Sequence, residues 1–297
     1  MNINRIDYKN KRKGPGLSLA IGFFDGVHKG HRLIIEETLK DKNLIPAVLT
    51  FSLDMKIGME KKNSVLLTED EKEDEIAKLG IQEYFLLPFT DDVKHSSIDE
   101  FLDFLSGLNV REVIVGKDFT FANKGEGKAE TLRKLESREI RVRIIDLFFE
   151  EGDKVSSTRI KKLLEEGKIE EANELLGYSY YVQGEVIHGL ANGRKIGFPT
   201  ANIIVDKNLV HLPESVYKTE TLMEGHTFKS MTSIGRHPTI DELDESIIET
   251  NIIGFRGDIY GRRIKVVFKK FIRDQVKFQG LEELKIQLKK DQEDCVR

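Results

Sequence analysis

One cysteine, Cys295, is all the 297-residue sequence contains, so no internal disulfide can brace the fold, as fits a reducing compartment. Nowhere does the chain approach the ~20 consecutive apolar residues that a membrane-spanning helix needs. Residues 1–16 are polar and basic and lack the apolar run of a secretory leader. Charge of one sign is missing as well. Lys and Arg number 47 against 51 Asp and Glu, a net charge of -4, which excludes the polybasic surface of a general nucleic-acid binder. There is no internal repeat and no low-complexity linker. These absences describe a soluble cytoplasmic protein with neither membrane nor nucleic-acid partners, and they leave its oligomeric state open. The length suits two domains, each able to bury a core of its own.

What is present changes texture partway along. Up to about residue 176, short apolar runs (17–22, 45–51, 84–87, 112–115, 141–146) alternate with helical patterns (30–40, 69–79, 98–108, 129–138). Strands separated by helices predict parallel pairing with helices on both faces, a Rossmann-like α/β unit. Helical patterns at 157–166 and 169–176 close this half, with Gly177 as a helix stop. Beyond it, β-branched and aromatic runs at 180–186, 201–205, 216–222, 226–234, 247–253 and 263–271 predict a small antiparallel barrel. Apolar positions Leu281, Leu284 and Leu288 among charges predict a terminal helix packed on it. The expected domains are residues 1–177 and 178–297.

Two segments carry the chemistry. Residues 22–31, Gly-Phe-Phe-Asp-Gly-Val-His-Lys-Gly-His, run from the first strand into the first helix. At that turn of a parallel sheet, backbone N–H groups and the positive helix end attract phosphate. His28 and His31 add imidazole donors, Gly30 admits phosphate close to the backbone, and Phe24, Asp25 and Gly26 are further candidates for nucleotide or phosphate binding. Read without context, His28 and His31 are equally at home as polar turn residues. No cysteine or third ligand makes them a metal site. The second segment, residues 189–202, surrounds the basic pair Arg194 and Lys195 with Gly189, Gly193 and Gly197, then continues Phe198-Pro199-Thr200-Ala201-Asn202. Such a loop suits ATP phosphates, and Thr200 and Asn202 fall on one strand face, where both can address Mg²⁺. Composition alone leaves a glycine-rich hairpin open as an alternative.

Residues 22–31 resemble the HxGH nucleotidyltransferases, and Phe24 to His28 resemble their FAD synthetase branch. Residues 115–121, Val-Gly-Lys-Asp-Phe-Thr-Phe with Asp118, are similar to that family's Gly-x-(Asp/Asn)-Phe-x-Phe stretch. Residues 155–160 are similar to its Ser-Ser-Thr motif, which places Ser156, Ser157, Thr158 and Arg159 at the nucleotide phosphates. The family's Pro-His-Pro after the second strand is replaced from Thr50 onward by Thr-Phe-Ser-Leu-Asp-Met, and Ala122 stands for a glycine. The segment at 193–202, Gly-Arg-x-x-Gly-Phe-Pro-Thr-Ala-Asn, is similar to the signature of riboflavin kinases. Further pieces follow in register at Ile234-Gly235, Pro238-Thr239, Ile248 to Asn251 and Asp258 to Gly261. Asn251 stands where that family has histidine. The resemblance implies Glu249 as general base, Phe198 and Arg273 at the flavin, and ATP with Mg²⁺ in both halves. The implied activity is two successive steps, riboflavin to FMN and FMN to FAD. A kinase with a silent adenylylating half, and a non-catalytic flavin- or nucleic-acid-binding regulator, are the alternatives.

Overall fold

The computed structural model describes residues 1–52, 64–189, 193, 196–235 and 246–296. By its internal contacts the chain divides into two compact units, Met1–Asn63 with Leu67–Ser157, and Ser64–Leu66 with Thr158–Arg297.

The first unit is a parallel sheet. Its strands are β1 (Asn2–Arg5), β2 (Leu17–Ile21), β3 (Ile45–Phe51), β4 (Glu83–Leu87), β5 (Val110–Gly116) and, after a short β6–β7 ladder (Thr120–Phe121 with Gly127–Lys128), β8 (Arg141–Ile145). The order is β1-β4-β3-β2-β5-β8, parallel throughout. Every residue of β2 is buried, as expected for a strand covered on both faces. Helices α1 (Lys29–Glu37), α2 (Glu69–Ala77), α3 (Asp91–Lys94) and α4 (Ile98–Gly107) lie between the strands. Thr68 with Glu71, and Ser97 with Glu100, form reciprocal capping boxes that fix where α2 and α4 begin. Leu19, Leu49, Phe101, Leu105 and Val113 belong to one core, each such side chain contributing about 1.5–3 kcal/mol by burial. From β2 the chain builds outward through β3 and β4 on one side, then through β5 and β8 on the other. The carboxyl ends of β2 and β5 therefore flank the crevice where such sheets bind ligands.

The sheet edge and the segment before β8 differ from the sequence expectation. Asn2–Arg5, too polar to read as a strand, pairs with β4 at the sheet edge, where Asn4 Nδ2 donates to Glu83 Oε2 at 2.8 Å. Ala129–Arg138, expected as an α-helix, is a run of 3-10 turns. Its buried residues, Ala129, Leu132 and Leu135, recur every third position, the period of a three-residue turn.

Past a two-strand hairpin, β9 (Phe149–Glu150) and β10 (Asp153–Lys154), α5 (Ser157–Glu165) begins as the first unit ends. α6 (Ile169–Leu176) stops at Gly177, whose φ of 78° is left-handed. Both helices group with the barrel, and Asn173 Nδ2 donates to the Phe268 carbonyl at 3.0 Å.

The barrel strands are β11 (Tyr181–Ile187), β12 (Ala201–Val205), β13 (Ser215–Met223), β14 (His226–Ser233), β15 (Ser246–Ile252) and β16 (Arg263–Asp274). They close antiparallel in the order β11-β12-β15-β14-β13-β16. At Gly184 a Cβ would lie 1.8 Å from the Ile204 carbonyl oxygen, so glycine alone lets β11 cross β12 this closely. Buried hydroxyls of Thr219, Thr221, Ser230, Thr232 and Thr250 bond to one another at 2.8–2.9 Å, which satisfies their polar atoms away from water. The terminal helix α7 (Leu281–Val296) packs on β13 and β14, with Cys295 buried against Val216 and Met231. Among the described residues no helix is long and apolar enough to cross a membrane.

Candidate active sites

The first site is the loop from β2 into α1. Its backbone is left-handed at Phe24 (φ 51°), Gly26 (80°) and Val27 (38°), a costly geometry for a β-branched residue. The turn ends at His28, the N-cap of α1, whose Nδ1 accepts the His31 N–H at 3.3 Å. That bond leaves the proton of a neutral His28 on Nε2. The two imidazoles stack 3.6 Å apart, with Phe24 edge-on to His31. A Cβ at Gly30 would press on the His28 ring at 3.4 Å. His28, Asp25, Val27 and Phe24 are all buried.

Beside this loop lies a cavity of about 640 Å³. It is lined by Gly22, Phe24 and His31 of this loop, by Gly116 and Asp118 at the end of β5, and by the rings of Tyr8, Phe51, Phe89, Phe101, Phe119 and Phe121. The structure thus brings together Phe24, His31 and Asp118 of the expected residues. Ser157, expected at phosphate, donates from Oγ to the Asp25 carbonyl at 2.9 Å. Ser156 precedes it, and Thr158 and Arg159 follow in the first turn of α5, on the second unit.

Sequence reasoning missed the β9–β10 hairpin. Glu150 pairs with Lys29 at 2.7 Å and Lys154 with Asp118 at 2.5 Å, so this hairpin reaches both the histidine loop and the β5 loop. Lys154 stands next to the Ser-Ser-Thr segment, and that adjacency was the available signal.

The second site sits on β12 and β15. Antiparallel pairing puts Asn202 directly opposite Glu249, and Thr200 Oγ1 lies 3.5 Å from Glu249 Oε2. Thr200, Asn202 and Glu249 therefore converge through strand register. Among the described residues no group of three or more His, Cys, Asp or Glu is placed to hold a metal. The side-chain oxygens of Thr200 and Asn202 are hard donors of the kind that suits Mg²⁺ bound jointly with nucleotide phosphates. Gly189 matters here, because a Cβ would come within 2.1 Å of Asn202 Nδ2. Phe198 N–H donates to the Gly193 carbonyl at 2.9 Å, folding the turn that ends at Pro199. Gly197 takes the left-handed φ of 88° inside it. Arg194 and Lys195 lie outside the described residues, as do Pro238 and Thr239. Asn251, standing for a histidine, donates to the Pro199 carbonyl at 2.7 Å.

A cavity of about 300 Å³ opens beside Thr200, lined by Pro199, Thr250, Phe255, Asp258 and Tyr260. Arg273, expected at the flavin, has its guanidinium on the buried Asp291 carboxylate of α7, with three contacts of 2.7–3.0 Å.

The two halves match two family profiles, one described as FAD synthetase over residues 10–159 and one as riboflavin kinase over residues 176–297. The fold and paired sites define a two-domain enzyme of flavin nucleotide synthesis. More particularly, the chain belongs to the bifunctional riboflavin kinase/FMN adenylyltransferase family. It is 38% identical to the member from Listeria monocytogenes, across 93% of this chain and 90% of the relative. With the Bacillus subtilis member it shares 33% identity over 94% and 91%. A crystal structure described as a macrolide-efflux protein from Streptococcus pneumoniae superposes with a TM-score of 0.88 at 31% identity, covering 98% of this chain and 97% of that one.

Proposed function

We propose that the barrel phosphorylates riboflavin to FMN and the α/β unit joins FMN to AMP, giving FAD, with residues 1–177 and 178–297 as the respective domains. The observation that carries this reading is that each half of the chain matches its own family, FAD synthetase over residues 10–159 and riboflavin kinase over residues 176–297, and that each half holds its own candidate site.

In the kinase step the riboflavin 5′-hydroxyl attacks the γ-phosphorus of ATP. Glu249 accepts the hydroxyl proton as the new P–O bond forms and ADP departs. Thr200 and Asn202 would hold Mg²⁺, which supplies charge neutralisation on the phosphates. Gly189, Gly193, Gly197 and Pro199 border the polyphosphate, Arg194 and Lys195, outside the described residues, supply positive charge to it, and Phe198 borders the flavin. Arg273 acts at the flavin indirectly, by holding α7 against β16 through Asp291.

In the adenylylation step an FMN phosphate oxygen attacks the α-phosphorus of ATP and pyrophosphate leaves. The nucleophile is already anionic, so no strong base is required. His28, His31 and the N–H groups entering α1 stabilise the developing charge, with Ser156, Thr158 and Arg159 at the phosphates. The aromatic rings lining the larger cavity suit a flavin, and the Asp118 carboxylate among them suits polar nucleotide groups. Incubation with riboflavin, ATP and Mg²⁺, followed by chromatography, is expected to yield FMN first and FAD after it. FMN without FAD would sink the adenylyltransferase assignment.

A further inference from the structure

The loop at residues 22–28 would present carbonyl oxygens as readily as N–H groups to an incoming triphosphate, and a carbonyl facing phosphate is repulsive. In this structure side chains take three of those carbonyls. Thr50 Oγ1 donates to the Phe23 carbonyl at 3.1 Å, Ser157 Oγ to that of Asp25 at 2.9 Å, and Arg32 Nε to that of Val27 at 3.1 Å. Backbone donors take two more, since Val27 N–H bonds the Phe24 carbonyl at 3.1 Å and Arg32 N–H that of His28 at 2.9 Å.

Arg32 stands out within this set because its target is the β-branched residue of the left-handed turn. Val27, buried and β-branched, sits at φ 38°, where a non-glycine backbone tends to relax. Arg32 is itself aimed. Its Nη2 lies 3.1 Å from Glu75 Oε2 on α2, and that carboxylate is 4% exposed. Lys78 binds the other oxygen of Glu75 at 2.5 Å.

We propose that Arg32, oriented by Glu75, is a positioning residue for adenylyl transfer. It holds Val27 in its left-handed conformation and so fixes His28 and the first turn of α1 for the α-phosphate. This rests on the adenylyltransferase reading of the same loop. The role is indirect, through a backbone carbonyl, and the ion pair with Glu75 aligns the guanidinium instead of serving as a phosphate contact.

The test is a double-mutant cycle on the full chain, measuring FAD formation from FMN and ATP under steady state. Arg32→Met is expected to lower kcat about 10–100-fold, the usual effect of a misplaced catalytic group, with the KM for ATP within about 3-fold of wild type. Val27→Gly removes the penalty for positive φ, so in that background Arg32→Met should cost no more than about 3-fold. An equal penalty in both backgrounds overturns the proposal, because a purely structural ion pair would not be relieved by glycine. A rise in the KM for ATP that accounts for the loss overturns it too, in favour of direct phosphate binding. Arg32→Gln, whose amide can still donate to the Val27 carbonyl, guards against misfolding of the methionine variant. It should stay within about 5-fold of wild type, and a tenfold loss at unchanged melting temperature overturns the proposal. If the wild-type chain makes no FAD, the underlying reading fails. If it makes FAD and the cycle is additive, only the role of Arg32 fails.

Discussion

The two proposed phosphate sites are built by opposite means. In the α/β unit the histidine-bearing part of the site is one continuous loop, bent through left-handed residues and held by hydrogen bonds to its own carbonyls. In the barrel the site is assembled from residues far apart in sequence, with Glu249 brought opposite Asn202 by the pairing of β12 and β15. A loop site can be read from a contiguous motif, but it needs local strain to be maintained. A ladder site needs no strain, because the register that builds the barrel also sets the distances. The first should therefore be sensitive to changes in backbone preference and the second to changes in strand approach.

The sharpest way to break the comparison is to disable each site alone. Glu249→Gln is expected to lower riboflavin phosphorylation about 10³-fold, the usual scale for loss of a general base, while FMN adenylylation stays near wild type. Changing both His28 and His31 to Ala should reverse the pattern, cutting FAD formation roughly 10²–10³-fold with FMN formation retained. Parallel assays with riboflavin and with FMN as starting substrates read both. Equal loss of both activities in either variant would mean that the two chemistries are not separated as proposed.

A smaller effect sharpens the ladder side. Gly189→Ala places a methyl group where the Asn202 amide now lies, 2.1 Å away. Asn202 must turn aside, and riboflavin phosphorylation should fall about 10²-fold, as for a displaced substrate-positioning group. Raising the Mg²⁺ concentration should recover part of the loss if Asn202 serves the metal. A wild-type rate in this variant would remove Asn202 from the site.

Much of the molecule was legible beforehand, for different reasons in different places. The alternation of strands and helices up to α6, and the short β-runs beyond, carried both folds because buried faces impose their period on the sequence. The spacing His28-Lys29-Gly30-His31 marked the candidate loop, and Phe198 to Asn202 marked the candidate barrel site. The polar strand β1 escaped notice because an edge strand needs no apolar face, and its pairing comes from β4. The 3-10 run at Ala129–Arg138 escaped because three- and four-residue spacings share apolar positions over so short a span. Thr50 and Arg32 carried no signal of their loop contacts, since a side chain that bonds a backbone carbonyl leaves no pattern in its target's sequence. Ser157 was marked through its motif for a different partner, the phosphates, and is found on the Asp25 carbonyl. Glu249 could be picked from the neighbouring acids only through the resemblance, whereas its distance to Thr200 follows directly from register.

Arg273 offers the mildest test, and it separates two ways of serving a flavin. A guanidinium that touches the ligand would contribute to binding and little to the free protein. Here it bridges β16 to α7 through Asp291, a carboxylate 1% exposed that also accepts from Gln287 Nε2 at 2.8 Å. Asp291→Asn keeps the shape and some hydrogen bonding but removes the charge opposite Arg273. A charge-assisted bond of this kind contributes about 1.5–3 kcal/mol, and the substituted amide retains part of it. The expected loss is therefore about 1.5 kcal/mol. Melting of the ligand-free protein, followed by calorimetry, should show the barrel transition falling by about 5 °C. A direct flavin contact predicts instead an unchanged melting temperature without ligand and a smaller upward shift when riboflavin is added. The two outcomes cannot be confused, because one appears before any ligand is present and the other only after.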